Sequence, residues 1–408
     1  MWLLDKLLRR LIVRGELVIT DASGTTHRYG EPDPDLGRIA IRFRDRRLPR
    51  DLVRDYRLAT AEAYMDGRLT FDEGDIAGLV MLASANRPWE SRSPPSHSWR
   101  SRAATRLRNW AKPNDRRRAR RHVAHHYDIG NALYRLFLDE DLQYSCAYFT
   151  DPSVGLEQAQ RDKKAHIAAK LHLKPGQKVL DIGCGWGGTA LYLHRRYDVD
   201  VLGVTLSEEQ LALARERARE AGVADRVRFA LRDYREIEGR FDRIVSIGMF
   251  EHVGAAHYDA FFGKCRDLLA EDGVMMLHTI GRFDRPKSGE PFADKYIFPG
   301  YHLPNLSQII QASERARLVS TDVETLRLHY AHTLRHWLDR TRAHRAEIEA
   351  MYDARFVRMW EVYLAGAMAM FAHGAGCVFQ VQYVRDRRAL PITRDYLFEE
   401  ERRLRGEG

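Results

Sequence analysis

The residues able to do chemistry in this chain sit where short apolar runs end. The first such run opens "KVLDIGCGWGGTALYLHRR" (residues 178–196), which passes through Asp181 into four glycines and then a helical stretch. Gly183, Gly185 and Gly188 satisfy G-x-G-x-x-G, a spacing in which missing side chains let a turn approach a ligand that a helix N-terminus faces. A dinucleotide would also need an acid at the end of the next strand to hold a ribose, yet "VDVLGVTLS" ends in Gly203, Val204, Thr205 and Ser207. Asp181 offers a carboxylate where the loop begins. That suits a cationic or hydroxyl-bearing ligand such as S-adenosylmethionine better than a pyrophosphate.

Four more runs end in polar groups. Thr205 and Gln210 follow the second run, Asp233 and Tyr234 the third, Glu251 and His252 the fourth, and His278 with Ile280 the fifth. An acid beside an aromatic, as in "LRDYRE", suits an adenine: the carboxylate accepts from the exocyclic amine while the ring packs on a base face. For all of these to converge, the runs must be parallel strands of one sheet.

The intervening sequence supports that arrangement. "KVLDIG", "VDVLGVTL", "VRFALRD", "FDRIVSIGM" and "GVMMLHTI" alternate with helical stretches ending at Arg196, spanning Glu208 to Glu220, and spanning His257 to Ala270. This is the pattern of a doubly wound α/β domain, whose ligands lie beyond the strand C-termini. "LVSTDVETLR" and "CVFQVQYVRDR" predict two further strands around one long helix from about residue 333 to 372. No internal repeat or low-complexity tract is present.

At 408 residues, 44% hydrophobic and 30% charged, the chain is long enough for two or three globular domains. Cys146, Cys184, Cys265 and Cys377 are scattered and form no C-x-x-C pair, so neither a disulfide framework nor a zinc ribbon is indicated and a reducing cytosol is the expected home. The N-terminal "MWLLDKLLRRLIVRG" is no export signal, because Asp5, Lys6, Arg9 and Arg10 interrupt its apolar core. Trp2, Leu3, Leu4, Leu7, Leu8, Leu11 and Ile12 instead share one helical face, either docked on their own domain or inserted at a membrane interface. Residues 100–121 hold nine Arg and one Lys against Asp115, so this stretch alone accounts for the net charge of +9. With the Pro/Ser-rich segment before it, it reads as a linker spanning 91–121, between an N-terminal domain (1–90) and a catalytic domain (122–408). It also offers a surface for anionic lipid headgroups, with Trp99 and Trp110 flanking the charge.

Taken together, "HHYDIGNALYRLFLDEDLQYSCAYF", "VLDIGCGWGG", "GVTLSEEQ", "FDRIVSIGMFEHVG", "GVMMLHTIG" and "LHYAHTL" resemble, in order and spacing, the cyclopropane-fatty-acyl-phospholipid synthases and the related mycolic-acid cyclopropane synthases. The resemblance covers most of residues 122–384. It implies a Rossmann-like class I S-adenosylmethionine-dependent methyltransferase with a smaller N-terminal accessory domain. The reaction it implies is methyl transfer to a cis double bond of a phospholipid acyl chain, followed by ring closure.

Such a reaction leaves a carbocation that must be kept from water, so its pocket should be apolar and electron-rich. Tyr127, Tyr144, Tyr148, Phe149, Phe250, Tyr330 and Phe371 are candidate faces, and Glu251 the candidate carboxylate. By resemblance, the base that removes a proton from the transferred carbon is a bound bicarbonate held by Cys146, Glu251, His278, the main chain of Ile280, and Tyr330. Glu251 must share a proton to sit beside that anion. Cofactor contacts carried over likewise fall on Tyr127, Tyr144, Ser145, Asp181, Gly183, Gly185, Thr205, Gln210, Asp233 and Tyr234. Tyr234 stands where many relatives have a tryptophan.

The implied partners are an unsaturated membrane phospholipid and anionic headgroups, met at the inner face of the membrane from the cytoplasm. A homodimer is compatible with these features. His122, His125 and His126 carry no acid or Cys at metal-ligand spacing, so no metal is expected. A nucleic-acid methyltransferase would use the Arg stretch, but the chain lacks both the N/D-P-P-Y/F loop of amine methylases and the Pro-Cys pair of cytosine C5 methylases. Within the lipid class, the alternative is methylation of the same olefin with a different proton lost, giving methylene or methyl-branched chains.

Overall fold

The computed structural model describes residues 1–91, 130–284 and 290–406. The Arg-rich stretch, the three N-terminal histidines of the catalytic segment and Tyr127 lie outside the described residues. The chain divides into two compact units.

The first unit gathers Met1–Ser96, Glu290–Pro299 and Ala331–Gly376. Its sheet has the order β2-β1-β3-β4, formed by β1 (Glu16–Thr20), β2 (Thr26–Tyr29), β3 (Arg38–Phe43) and β4 (Leu69–Glu73). Leu17, Ile19, Ile39, Ile41 and Phe43 pack with Leu4, Leu8 and Ile12, and Val362 from the distant third segment closes the same core. Glu361 fixes that segment: its buried carboxylate accepts from Tyr64 Oη at 2.5 Å and from Arg345 at 3.0 Å. A boundary near residue 90 therefore does not describe this unit, because segments from the second half of the chain complete it.

The long helix expected from residue 333 to 372 is three helices, His329–Ala343, Arg345–Met351 and Ala354–Ala372. The last break is set by Asp353, whose side chain caps the third helix by accepting from Phe356 N.

The second unit holds His97–Gly289, Gly300–Tyr330 and Cys377–Gly408. Its seven-stranded sheet contains β5 (Lys178–Ile182), β6 (Asp200–Thr205), β7 (Val227–Leu231), β8 (Phe241–Ile247), β9 (Leu269–Arg282), β10 (Val319–Leu326) and β11 (Gly376–Val384). The order is β10-β11-β9-β8-β5-β6-β7. β5 pairs in parallel with β6 and β8, β6 with β7, and β8 with β9, whereas β10 runs antiparallel to β11. Central strands covered on both faces are buried along their length and mostly apolar. β5 is buried from Val179 to Ile182, and all of β11 is buried.

The chain leaves β5 toward β6 and β7, then returns to the other side of β5 for β8 and β9. That reversal is the switch point at which doubly wound sheets bind ligands, and it sets the ends of β5 and β8 side by side.

Candidate active site

The residues expected to meet the cofactor begin at the end of β5. Asp181 is buried, and its Oδ2 has no hydrogen-bond partner among the described residues. Burial raises the carboxyl to about 7, opposed by the charge of Lys163. Gly183 and Gly185 follow with φ of +84° and +53°, a region that costs residues with a Cβ. A Cβ at Gly185 would meet nothing within 4 Å, so the loop there faces open space. An unpaired buried acid beside an uncovered glycine turn is what a ligand with hydroxyl or ammonium donors requires.

The next strand ends supply the other expected groups. Thr205 donates through Oγ1 to Gln210 Oε1 at 2.9 Å, and Ser207 caps the following helix, Glu208–Glu220. Asp233 is buried but already engaged, accepting from Arg235 Nε at 2.8 Å and Nη2 at 2.5 Å. An adenine amine at Asp233 would therefore share the carboxylate with Arg235. Tyr234 packs edge-on against Phe261 at 5.4 Å.

Residues 143–149 form a wall across the strand ends. Tyr144 lies edge-on to Tyr134 and Phe137, at 5.1 and 6.1 Å. Ser145 Oγ accepts from Lys163 Nζ at 2.8 Å, and the same ammonium reaches Gln143 Oε1 at 2.7 Å. Cys146 is fully buried, with Sγ 3.3 Å from the Ala147 carbonyl. The wall meets β8 and β9 at Gly248: a Cβ there would lie 4.0 Å from Ser145 Cβ, and its N–H donates to the His278 carbonyl at 2.9 Å.

At the end of β8, a single-turn helix (Phe250–His252) buries Glu251. Its Oε1 accepts from the Ile280 N–H at 2.5 Å, while Oε2 has no partner among the described residues. Burial raises this carboxyl to about 7. The Ile280 amide, expected to face a bound anion, thus serves Glu251 in this structure.

His278 is buried on β9, with Nδ1 3.1 Å from Gln380 Nε2. Burial and nearby Lys163 and Lys170 push its basicity well below the ordinary histidine range. Tyr330 is buried in the first turn of its helix, beside His329, whose Nδ1 accepts from Phe149 N at 3.0 Å. That bond ties the Tyr330 end of the chain to the 143–149 wall.

The aromatic candidates divide. Tyr148 stacks between His166 and His329, with centroids 4.1 and 5.0 Å away. Phe250 is core, stacked on Tyr258 at 4.2 Å and packed against Phe261 and Phe262. Phe371 belongs to the first unit.

Lys163 was not among the residues singled out from sequence, yet it connects two of them. It is fully buried on the helix Leu156–Leu171, its charge is felt at both Asp181 and His278, and burial lowers its own pKa to about 7. Among the described residues no group of His, Cys, Asp and Glu could hold a metal ion, and no helix is long and apolar enough to cross a membrane.

The fold is that of a class I S-adenosylmethionine-dependent methyltransferase. A family model described as mycolic acid cyclopropane synthetase matches residues 114–381, and the chain belongs to that family. It is 37% identical to a probable fatty acid methyltransferase of Pseudomonas putida over 89% of this chain and 93% of the relative. It is 39% identical to the cyclopropane-fatty-acyl-phospholipid synthase of Escherichia coli K12, over 85% of this chain and 87% of that one. A solved structure of the mycolic acid cyclopropane synthase CmaA1 complexed with SAH and CTAB superimposes with TM-score 0.62 at 34% identity, covering 67% of this chain and 99% of that one.

Proposed function

We propose that this enzyme converts the cis double bond of an unsaturated phospholipid acyl chain into a cyclopropane, using S-adenosylmethionine as the carbon donor and a bound bicarbonate as the base. The pair Glu251 and His278 carries the reading. Both are buried where β8 ends beside β9, Glu251 on the single-turn helix after β8 and His278 on β9 opposite Ile247, the last residue of β8, one with a carboxylate oxygen unpaired and the other a histidine kept neutral.

S-adenosylmethionine supplies an electrophilic methyl group on a sulfonium. Asp181, the main chain at Gly185, Thr205 with Gln210, and the Tyr144–Ser145 wall fit it, because they offer an unpaired acceptor, open main chain and aromatic faces. Bicarbonate, when bound, supplies a base weak enough to coexist with an acidic neighbour. Cys146, His278 and Tyr330 are the donors that would hold it.

The chain's own residues then have defined tasks. As the double bond takes up the methyl carbon and the carbon–sulfur bond breaks to release S-adenosylhomocysteine, aromatic faces and the Glu251 carboxyl would offset the positive charge left on the acyl chain. Burial of Glu251 and His278 keeps water from that carbon. Loss of a proton from the transferred carbon to the bicarbonate, which would leave as carbonic acid, with formation of the second carbon–carbon bond would close the ring and balance the charge.

The alternative, loss of a different proton to give a methylene or methyl-branched chain, is favoured by the similarity to a relative described as a probable fatty acid methyltransferase. The test is mass spectrometry and proton NMR of lipids after incubating the purified protein with S-adenosylmethionine and unsaturated phospholipid vesicles. A gain of one methylene with upfield ring protons is expected. The same mass gain without the ring signal would move the assignment to methylation.

Contact with a bilayer is required by such a substrate. The helix Trp2–Leu11 buries Leu4 and Leu8 but exposes Trp2, Leu3 and Leu7 beside Lys6 and Arg10, so its apolar arc is wider than its docked face. We assign the membrane contact to that exposed edge, with the basic side chains meeting anionic headgroups.

A further inference from the structure

The buried polar chain behind His278 fixes a chemical detail of the site. Gln380 lies on β11, the strand next to β9, and is fully buried with its carboxamide between two partners. On one side, Gln380 Oε1 is 2.8 Å from Lys170 Nζ; on the other, Gln380 Nε2 is 3.1 Å from His278 Nδ1. Lys170 projects from the helix Leu156–Leu171, is itself buried, and is anchored by Glu324, with Asp322 3.5 Å away.

A lysine ammonium has donors and no acceptor. It can therefore only be satisfied by the amide oxygen, and that choice points the amide N–H at His278. A ring nitrogen that receives an N–H must be bare. The one proton of the neutral imidazole then sits on Nε2, the nitrogen away from Gln380, for which no hydrogen bond is formed among the described residues.

We propose that Lys170 and Gln380 are positioning residues that lock His278 in its Nε2–H tautomer, so that it presents a hydrogen-bond donor to the reacting centre and cannot serve as the base. The assignment rests on His278 belonging to the site proposed above. It explains why a buried histidine is backed by a lysine and an amide rather than by a carboxylate. A carboxylate behind Nδ1 would stabilise the opposite proton placement and raise the ring's basicity. Glu324 and Asp322 are held one step further back, where they anchor Lys170 without touching the ring.

The test is nitrogen-15 NMR of histidine-labelled full-length protein, with the His278 signals assigned by difference from His278→Gln. In the wild type, His278 should show a bare Nδ1 and a protonated Nε2. Gln380→Glu, of the same shape, replaces the donor at Nδ1 by an acceptor and should move the proton to Nδ1. That change should lower kcat on the order of a hundredfold, the cost of losing one well-placed donor, with cofactor Kd unchanged. Lys170→Met releases the amide and should give a mixture of tautomers with an intermediate kcat, which separates the mechanism from a general packing defect.

A protonated Nδ1 or a doubly protonated ring in the wild type overturns the proposal. A tautomer that moves in Gln380→Glu while kcat stays at the wild-type value upholds the lock and overturns instead the placement of His278 in the site.

Discussion

The main-chain N–H of Ile280 donates to Glu251 Oε1 at 2.5 Å, and the other oxygen of the same carboxylate is buried without a partner among the described residues. One strand end thus orients an acid whose second oxygen is held in reserve, at a cost to the fold. Because burial raises this carboxyl from 4.5 to about 7, the folded protein retains a proton that the unfolded chain gives up from about pH 4.5 upward. Stability is lost as pH rises through that window, and the loss is complete above it.

Glu251→Gln removes the titration. The variant should be more stable than wild type above about pH 7, by at most about 3 kcal/mol, and gain little at about pH 4.5. Turnover should fall by two orders of magnitude or more, with cofactor affinity nearly unchanged, as expected for a group that faces developing charge. Thermal melts at the two pH values and steady-state kinetics check this. A variant equally destabilised at both would mean that the carboxylate is a structural hydrogen-bond acceptor.

Asp181 gives a second pH signature. Its carboxyl also titrates at about 7, and a ligand that donates hydrogen bonds selects the ionised form. Affinity for S-adenosylmethionine should therefore rise with pH through about 7 and level off above it. Asp181→Asn should abolish that dependence and weaken binding about tenfold to a hundredfold at about pH 8, the range for losing a hydrogen bond to a charged acceptor. Calorimetry across the pH range measures both. NAD should not bind, and micromolar NAD affinity without S-adenosylmethionine affinity would overturn the cofactor assignment.

The strand ends were legible because their chemistry is local. Asp181 precedes its glycines by two residues, and Glu251, His278 and Asp233 each follow an apolar run that only a buried strand explains. The support behind them was not. The segment "LEQAQRDKKAHIAAKL" has the composition of a solvated helix, yet 13 of its 16 residues are buried, including Lys163, His166 and Lys170. Those charges are tolerated because partners from far along the chain meet them: Gln143 and Ser145 for Lys163, Glu324 and Gln380 for Lys170. Long-range pairing of this kind leaves no periodic trace. The grouping of residues 331–376 with the N-terminal unit was hidden for the same reason, since it rests on pairs such as Tyr64 with Glu361 and Arg355 with Asp66.

The N-terminal helix offers a test of membrane contact that alters none of the strand-end residues. Trp2 is 74% exposed and Leu3 57% exposed, while Leu4 and Leu8 hold the helix in place. Changing Trp2, Leu3 and Leu7 together to Ser should leave the melting temperature within a few degrees of wild type and lower binding to anionic vesicles about tenfold or more. Turnover on detergent-dispersed lipid should persist. Added salt should weaken the wild-type interaction as Lys6 and Arg10 are screened. Vesicle sedimentation that is unchanged in the triple variant would move the contact to another surface.

The product follows from which proton leaves, and an isotope label reads it directly. With a methyl donor carrying three deuteriums, closure of a ring by loss from the transferred carbon leaves two in the lipid, whereas loss from the acyl chain leaves three. Two are expected. His278 is held neutral by burial and Glu251 keeps a proton to about 7, so neither displaces an external base poised at the transferred carbon. An exomethylene product formed after a hydride shift would also retain two, so the label must be read with proton NMR, in which ring methylene protons lie far upfield. Retention of three deuteriums, or of two without the upfield signal, would place the departing proton on the acyl chain or the product outside the ring-forming class. With three retained, the base would have to lie along the acyl chain rather than in the Cys146, His278 and Tyr330 donor set; with two and no ring signal, it would still face the transferred carbon.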